Sequence, residues 1–282
     1  MRPAPEAFAL GEAWKLGFAH VPPRGPAGER VGRGTGSSLE FHDRRSYEPG
    51  DDVRHLDWRA YARTDALLVR QWREEVLARC EILVDGSRSM EIDSRKAQLA
   101  LDLAALFSRA AVESGAQPVL VRLEDAPRPA TVAEFERDGL AFESTNGIAE
   151  SLRAASGLFR RGAMTVVISD FLSPHDAREL VTSLSARSGA LALVQVLSEE
   201  EAAPRSGSAQ RMIDCESGES LDLVLDESTV RRYLERLARL TDALAAEARR
   251  ANALFVSLLA TEPLERLARE RLAPAGLLVP AS

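Results

Sequence analysis

The sequence predicts an α/β fold. It reads as a doubly wound, mostly parallel sheet over residues 77–275, with a small β-rich appendage over 39–76 and a partly flexible lead-in over 1–38. Two observations carry that expectation. From Cys80 onward, short apolar runs alternate with stretches of helical periodicity, the pattern of right-handed βαβ crossovers. Two of those runs, Cys80–Asp85 and Met164–Asp170, also end on an aspartate, at the strand ends where such sheets take ligands. A chain of 282 residues, 45% hydrophobic and 28% charged, suffices for one sizeable α/β core and a smaller added part.

The elements follow in order. Charges and prolines interrupt every apolar stretch of Met1–Pro23, so it does not read as a secretory signal. Residues 22–38 are rich in Gly and Pro and read as a loop. Gly32-Arg33-Gly34-Thr35-Gly36-Ser37 resembles a phosphate loop only superficially, for it lacks the lysine and a strand leading into it. Leu39–Glu75 mixes Phe41, Tyr47, Trp58, Tyr61 and Trp72 with the turn signal Pro49-Gly50-Asp51-Asp52, which implies short strands and turns. Trp58 and Trp72 read there as packing residues.

Cys80–Asp85 is then a buried strand. Ser94–Glu113 is a helix, with Leu99, Leu103, Leu106 and Phe107 at helical spacing and a stop before Gly115. Strands follow at 118–123, 164–170, 190–196 and 253–259, and helices at 147–159, 175–188, 226–250 and 265–271. The acidic run Glu199-Glu200-Glu201 reads as a solvated loop.

Composition excludes several function classes. A net charge of -7 offers no general attraction to nucleic acid or an anionic membrane. No apolar run reaches the eighteen or so residues of a membrane span, so a cytoplasmic protein is expected. Cys80 and Cys215 are too few for a disulfide framework, and His20, His42, His55 and His175 show no zinc-site spacing. No Gly-x-Ser-x-Gly elbow is present, and Ser87 stands where an aspartyl phosphatase would need its second Asp. Of the 36 basic residues only Lys15 and Lys96 are lysines, which reads as genomic base composition.

The residues that carry chemistry are Asp85, Ser87 and Ser89, an Asp-x-Ser-x-Ser pattern directly after a strand. A hard cation such as Mg²⁺ takes oxygen ligands, and one carboxylate with two hydroxyls supplies them without over-neutralising the ion. The ordinary reading of the same residues is a turn and helix cap. Asp170 ends another strand and lies near Asp85 if the two strands are neighbours. Thr145 (or Ser144 beside it) could add a hydroxyl from a separate loop, against an ordinary role for Thr145 as a helix N-cap.

This set resembles the metal-ion-dependent adhesion site of von Willebrand factor A domains. The resemblance implies that Ser87, Ser89 and Thr145 coordinate the metal, that Asp85 and Asp170 act directly or through water, and that a partner carboxylate completes the shell. The preceding segment is similar to the signature of the bacterial domain of unknown function 58 family: Arg45-x-Tyr47-x-Pro49-Gly50-Asp51-Asp52-x-Arg54-x-Leu56-Asp57-Trp58, then Ala62-Arg63. That resemblance implies a von Willebrand factor A-like domain and a role as adaptor or co-chaperone to a MoxR-type AAA+ ATPase. Asp51, Asp52 and Asp57 among Arg44, Arg45, Arg54, Arg59 and Arg63 read first as an internal ion-pair lattice. The sharper reading makes Arg45, Tyr47, Asp51, Asp52, Arg54 and Trp58 a partner-docking surface. The expectation is a non-enzymatic module that binds a protein through Mg²⁺ or Mn²⁺. A metal-dependent hydrolase of a phosphorylated small molecule and a scaffold with a vestigial metal site are the alternatives.

Overall fold

The computed structural model describes residues 1–18, 39–47, 56–64, 66–74, 78–207, 209–213, 220–224 and 226–281. The chain divides into two compact units, one of residues 1–24 with 78–282 and one of residues 25–77.

The N-terminus begins with helix α1 (Pro5–Gly11) and strand β1 (Trp14–Leu16). The smaller unit holds strand β2 (Leu39–Ser46), helix α2 (Trp58–Thr64) and strand β3 (Leu68–Glu74), with β2 and β3 an antiparallel pair. Asp57 starts α2. Its carboxylate accepts from the Ala60 amide at 3.1 Å and its carbonyl from the Tyr61 amide at 2.9 Å. The expected run of strands and turns is therefore interrupted by a helix, because an aspartate cap at the Asp57-Trp58 step nucleates one. The Pro49–Asp52 turn and Arg54 lie outside the described residues.

The larger unit continues with β4 (Ala78–Asp85), α3 (Ser94–Glu113), β5 (Ala116–Leu123), β6 (Arg128–Ala130), α4 (Val132–Asp138) and α5 (Ile148–Ala154). Then come β7 (Met164–Ser169), α6 (Ala177–Ser185), β8 (Ala190–Leu197), α7 (Glu199–Ala202) and the hairpin β9 (Ala209–Ile213) with β10 (Ser220–Val224). Helix α8 (Glu227–Arg250), β11 (Leu254–Leu259), α9 (Leu264–Leu267) and β12 (Leu278–Pro280) complete it.

Six strands form one sheet in the order β11-β8-β7-β4-β5-β6, all parallel except the edge strand β6. Alternation along β4 feeds two cores. Cys80, Ile82 and Val84 join Leu99, Leu103 and Phe107 of α3 on one face. Leu83 joins Leu152 of α5, Leu180 and Leu184 of α6 and Leu244 of α8 on the other. Both faces are covered, which is why these strands read as continuous apolar runs. From β4 the chain winds outward through β5 and β6, then returns to β7 and winds the opposite way through β8 and β11. The carboxyl ends of β4 and β7 therefore flank the point where the winding reverses, the place where open parallel sheets bind ligands.

Several elements escaped the sequence reading. The lead-in is partly structural: β1 pairs with β12, and Trp14, Leu16 and Phe18 are buried in the core. Three-residue β6 contains Pro129, tolerated on an edge, and is too short to show a period. Helix α4 starts on a capping box between Thr131 and Glu134. The acidic run at 199–201 is α7, a helical turn boxed by Ser198 and Glu201, where first-turn carboxylates favour the helix dipole.

Candidate functional site

The site begins with the register of two strands. Val84 of β4 stands opposite Ile168 of β7, which levels Asp85 with Ser169. Asp85 is 2% exposed. Its Oδ1 accepts from the Ser87 amide at 2.9 Å, and its Oδ2 from the Ser169 hydroxyl at 2.5 Å. Gly86 follows because the chain leaves β4 against β5: its amide donates to the Leu123 carbonyl at 3.0 Å. A Cβ there would stand 2.9 Å from that same oxygen. The chain then turns through a 3₁₀ segment, Arg88–Glu91, and the hydroxyls of Ser87 and Ser89 come to 2.9 Å from each other.

Asp170 follows β7 and is also 2% exposed. Its Oδ1 accepts from the Leu172 amide at 2.9 Å, and its Oδ2 from the Lys96 ammonium at 2.7 Å. Gln195 of β8 donates to the Asp170 carbonyl at 3.0 Å and accepts from Thr241 of α8 at 3.1 Å. The turn is made by Phe171, which is fully buried at φ 57, a left-handed conformation uncommon for a bulky residue. Its amide donates to the Ser169 hydroxyl at 3.0 Å, so one serine braces both Asp85 and the strained turn.

Asp85 is a carboxylate taken out of water beside a second one. Burial, reinforced by the Asp170 carboxylate, pushes the Asp85 carboxyl up to about 6, against the opposing hydrogen bonds from Ser169 and Ser87. Lys96 supplies a compensating charge. Burial alone would lower its pKa, but Asp170 and Glu201 more than offset this and hold the ammonium above the ordinary lysine range. Glu201 Oε1 lies 2.6 Å from Lys96 Nζ, and the Glu201 carbonyl accepts from the Tyr233 hydroxyl of α8 at 2.9 Å.

The second loop lies against the first. Ser144 and Ser87 form a parallel bridge in which the Ser144 amide donates to the Gly86 carbonyl and the Arg88 amide to the Ser144 carbonyl. Ser144 is buried and its hydroxyl donates to Asp125 Oδ1 at 2.7 Å; Thr145 is exposed, and its amide donates to the same oxygen at 3.1 Å. Asp125 is held below the usual carboxylate range by these bonds. Thr145 is not the cap of α5. That position belongs to Gly147, and Ser173 from another loop accepts from the Ile148 amide at 3.0 Å. Nor do Ser87 and Ser89 cap α3, since Asp93 does so by accepting from the Arg95 amide at 2.8 Å.

The structure thus joins Asp85, Ser87 and Ser89 in one loop and sets Asp170 beside them, with the segment of Ser144 and Thr145 along the loop's edge. Sequence reasoning missed Ser169, Lys96, Glu201 and Asp125. Lys96 did leave a signal: it falls on the apolar stripe of α3, three, four, seven and eleven residues before Leu99, Ala100, Leu103 and Phe107, where a charge needs a buried partner. In the smaller unit Tyr47 is half-buried and its amide donates to the Leu67 carbonyl at 3.0 Å. Trp58 is 59% exposed, with Tyr61 edge-on at a centroid distance of 6.4 Å, which corrects its reading as a packing residue. Arg45 lies in β2 opposite Val69. Asp51, Asp52 and Arg54 lie outside the described residues. Among the described residues no helix is long and apolar enough to cross a membrane, and no group of three His, Cys, Asp or Glu could hold a metal.

Comparison with known proteins places the chain among relatives. Uncharacterized proteins of Mycobacterium bovis and of two Mycobacterium tuberculosis strains are 29% identical to it over 185 residues, which cover 59% of this chain and 57% of each relative. The chain thus spans less than two thirds of the length of those proteins. A crystal structure of an aerotolerance-related membrane protein from Bacteroides fragilis, carrying multiple mutations to serines, superposes with a TM-score of 0.32 at 14% identity. That superposition covers 62% of this chain and 98% of the other. The sequence model described as "Protein of unknown function DUF58" matches residues 43–244, spanning both the signature segment and the Asp85–Asp170 site, and the chain belongs to that family.

Proposed function

We propose that this chain is a non-enzymatic, divalent-cation-dependent protein-binding module of von Willebrand factor A type, working in the cytoplasm with a MoxR-type AAA+ ATPase. The observation that carries the reading is the meeting of Asp85, Ser87, Ser89 and Asp170 where the sheet's winding reverses. A central first strand ending in Asp-x-Ser-x-Ser, together with a single antiparallel edge strand, supports the von Willebrand assignment.

The residues fit Mg²⁺ or Mn²⁺. Neighbouring oxygens on an octahedron with bonds of 2.0–2.1 Å stand about 2.9 Å apart, and the Ser87 and Ser89 hydroxyls already hold a separation of 2.9 Å. Ser87 and Ser89 would hold the cation, with Thr145 or Ser144 from the second loop and with Asp85 and Asp170 directly or through water. A cation bound there supplies a Lewis-acidic position for a carboxylate oxygen of the partner. Every oxygen of Asp85 and Asp170 accepts one hydrogen bond, which fixes both carboxylates and leaves each oxygen a lone pair for a cation or its water. The partner class follows from the family resemblance, and the exposed Trp58 belongs to the proposed docking surface.

Thermal unfolding with millimolar Mg²⁺ or Mn²⁺, against chelator, tests the reading. A cation at 100 times its dissociation constant adds about 2.7 kcal/mol of stability. The wild-type protein should show that gain and Asp85→Ala should lose it. An equal response of the two proteins to metal would remove the site as its cause.

A further inference from the structure

Lys96 is the third residue of α3, where a positive charge opposes the helix dipole, and it is 0% exposed. Neither condition suits a lysine unless its charge is spent locally. All three ammonium protons are spent: on the Ser89 carbonyl at 3.0 Å, Asp170 Oδ2 at 2.7 Å and Glu201 Oε1 at 2.6 Å. The three acceptors lie on the serine loop, at the end of β7 and on α7, so one side chain ties together the three segments around the candidate site. Its ion pair with Asp170 is fully buried and that with Glu201 nearly so, unlike the exposed pairs of Arg266 and Arg269.

We propose that Lys96 is the resident cation of the site: it holds Ser89 and Asp170 in place without metal and, by repelling a divalent ion that shares Asp170, keeps the site's divalent affinity low. This rests on the cation-binding reading above. The charges support it. Asp85, Asp170 and Glu201 bring three carboxylates and Lys96 one ammonium, so the cluster carries a deficit of two positive charges that one divalent ion fills. Without Lys96 the deficit is three. Repulsion between ammonium and divalent ion across one carboxylate is strengthened by the burial of Lys96 and Asp170. Glu201 works in the opposite direction, since it draws on the Lys96 charge that would otherwise fall wholly on Asp170.

Mn²⁺ titration of the full chain, read by electron paramagnetic resonance and calorimetry, tests this with variants of opposite sign. Lys96→Met should bind Mn²⁺ at least tenfold more tightly than wild type, and its melting temperature should depend more strongly on chelator. Glu201→Gln, which removes the carboxylate charge at nearly the same size, should bind severalfold more weakly. A folded Lys96→Met with unchanged or weaker affinity overturns the proposal and leaves the cation reading standing if Asp85→Ala abolishes wild-type binding. Absence of binding in both wild type and Lys96→Met brings down the two together. Should Lys96→Met fail to fold, Glu201→Gln decides: weaker binding supports the proposal, and unchanged or tighter binding overturns it.

Discussion

Glu81, like Lys96, is a buried charge inside an apolar pattern, but near the middle of β4 and four residues before Asp85. It is 1% exposed. Its Oε1 accepts from the Arg160 amide at 2.8 Å and pairs with Arg79 at 2.9 Å, while Oε2 is buried without a hydrogen-bond partner. Burial pushes the carboxyl above its ordinary value, and the Arg160 amide and Arg79 offset this only in part. A raised native pKa means that the folded state holds the proton more tightly than the unfolded state. The stability from this group is present below the unfolded carboxyl range and is lost as pH rises through the folded value. Glu81→Gln removes that loss. Its melting temperature relative to wild type should shift in the variant's favour between about pH 4 and about pH 7.5; a constant difference would mean that Glu81 does not titrate as described. Such residues show why single positions are half legible. Asp85, Ser87, Ser89 and Asp170 stand out because their order along strand and turn is local. Ser169 does not, because its role depends on β7 lying beside β4.

Elements are read where their period is long. Helix α3 and strands β4 and β8 sit where periodicity places them, since a buried face imposes its spacing over many residues. β6 and β12, three residues each, show no period and exist because a neighbour offers an open edge. The step from β4 into the serine loop is decided by close approach. Gly86 has an ordinary φ, but a Cβ would lie 2.9 Å from the Leu123 carbonyl oxygen, a backbone atom fixed in β5. Gly86→Ala should therefore destabilise the protein by about 1–3 kcal/mol, the usual cost of overpacking. Denaturant unfolding checks it, and a neutral effect would show that β4 and β5 separate easily at this end.

At the scale of the molecule, the larger unit is closed by its own ends. β1 pairs with β12, Gly17 donates to the Leu277 carbonyl at 2.9 Å, and the Leu16 amide donates at 2.8 Å to the hydroxyl of Ser114, the residue after α3. Leu16 is fully buried beside residues of α3 and the sheet. Although it lies in a segment that reads as a lead-in, Leu16→Ala should cost about 2–5 kcal/mol, as for any large-to-small core change. A loss below about 0.5 kcal/mol, the scale of surface substitutions, would show that the N-terminal strand is not part of the cooperative unit.

The sequence by itself determined the α/β class, the run of major strands and helices, and the loop that carries Asp85, Ser87 and Ser89. Each of these is written in spacing over a few consecutive residues. Tertiary structure alone decided the strand order that brings Asp170 beside Asp85, the burial of Lys96 between Asp170 and Glu201, and the capture of the N-terminus by β12. Those pairings join residues as far apart in the chain as Trp14 and Pro280. They follow from how apolar faces and backbone edges find cover in three dimensions, for which no local pattern exists.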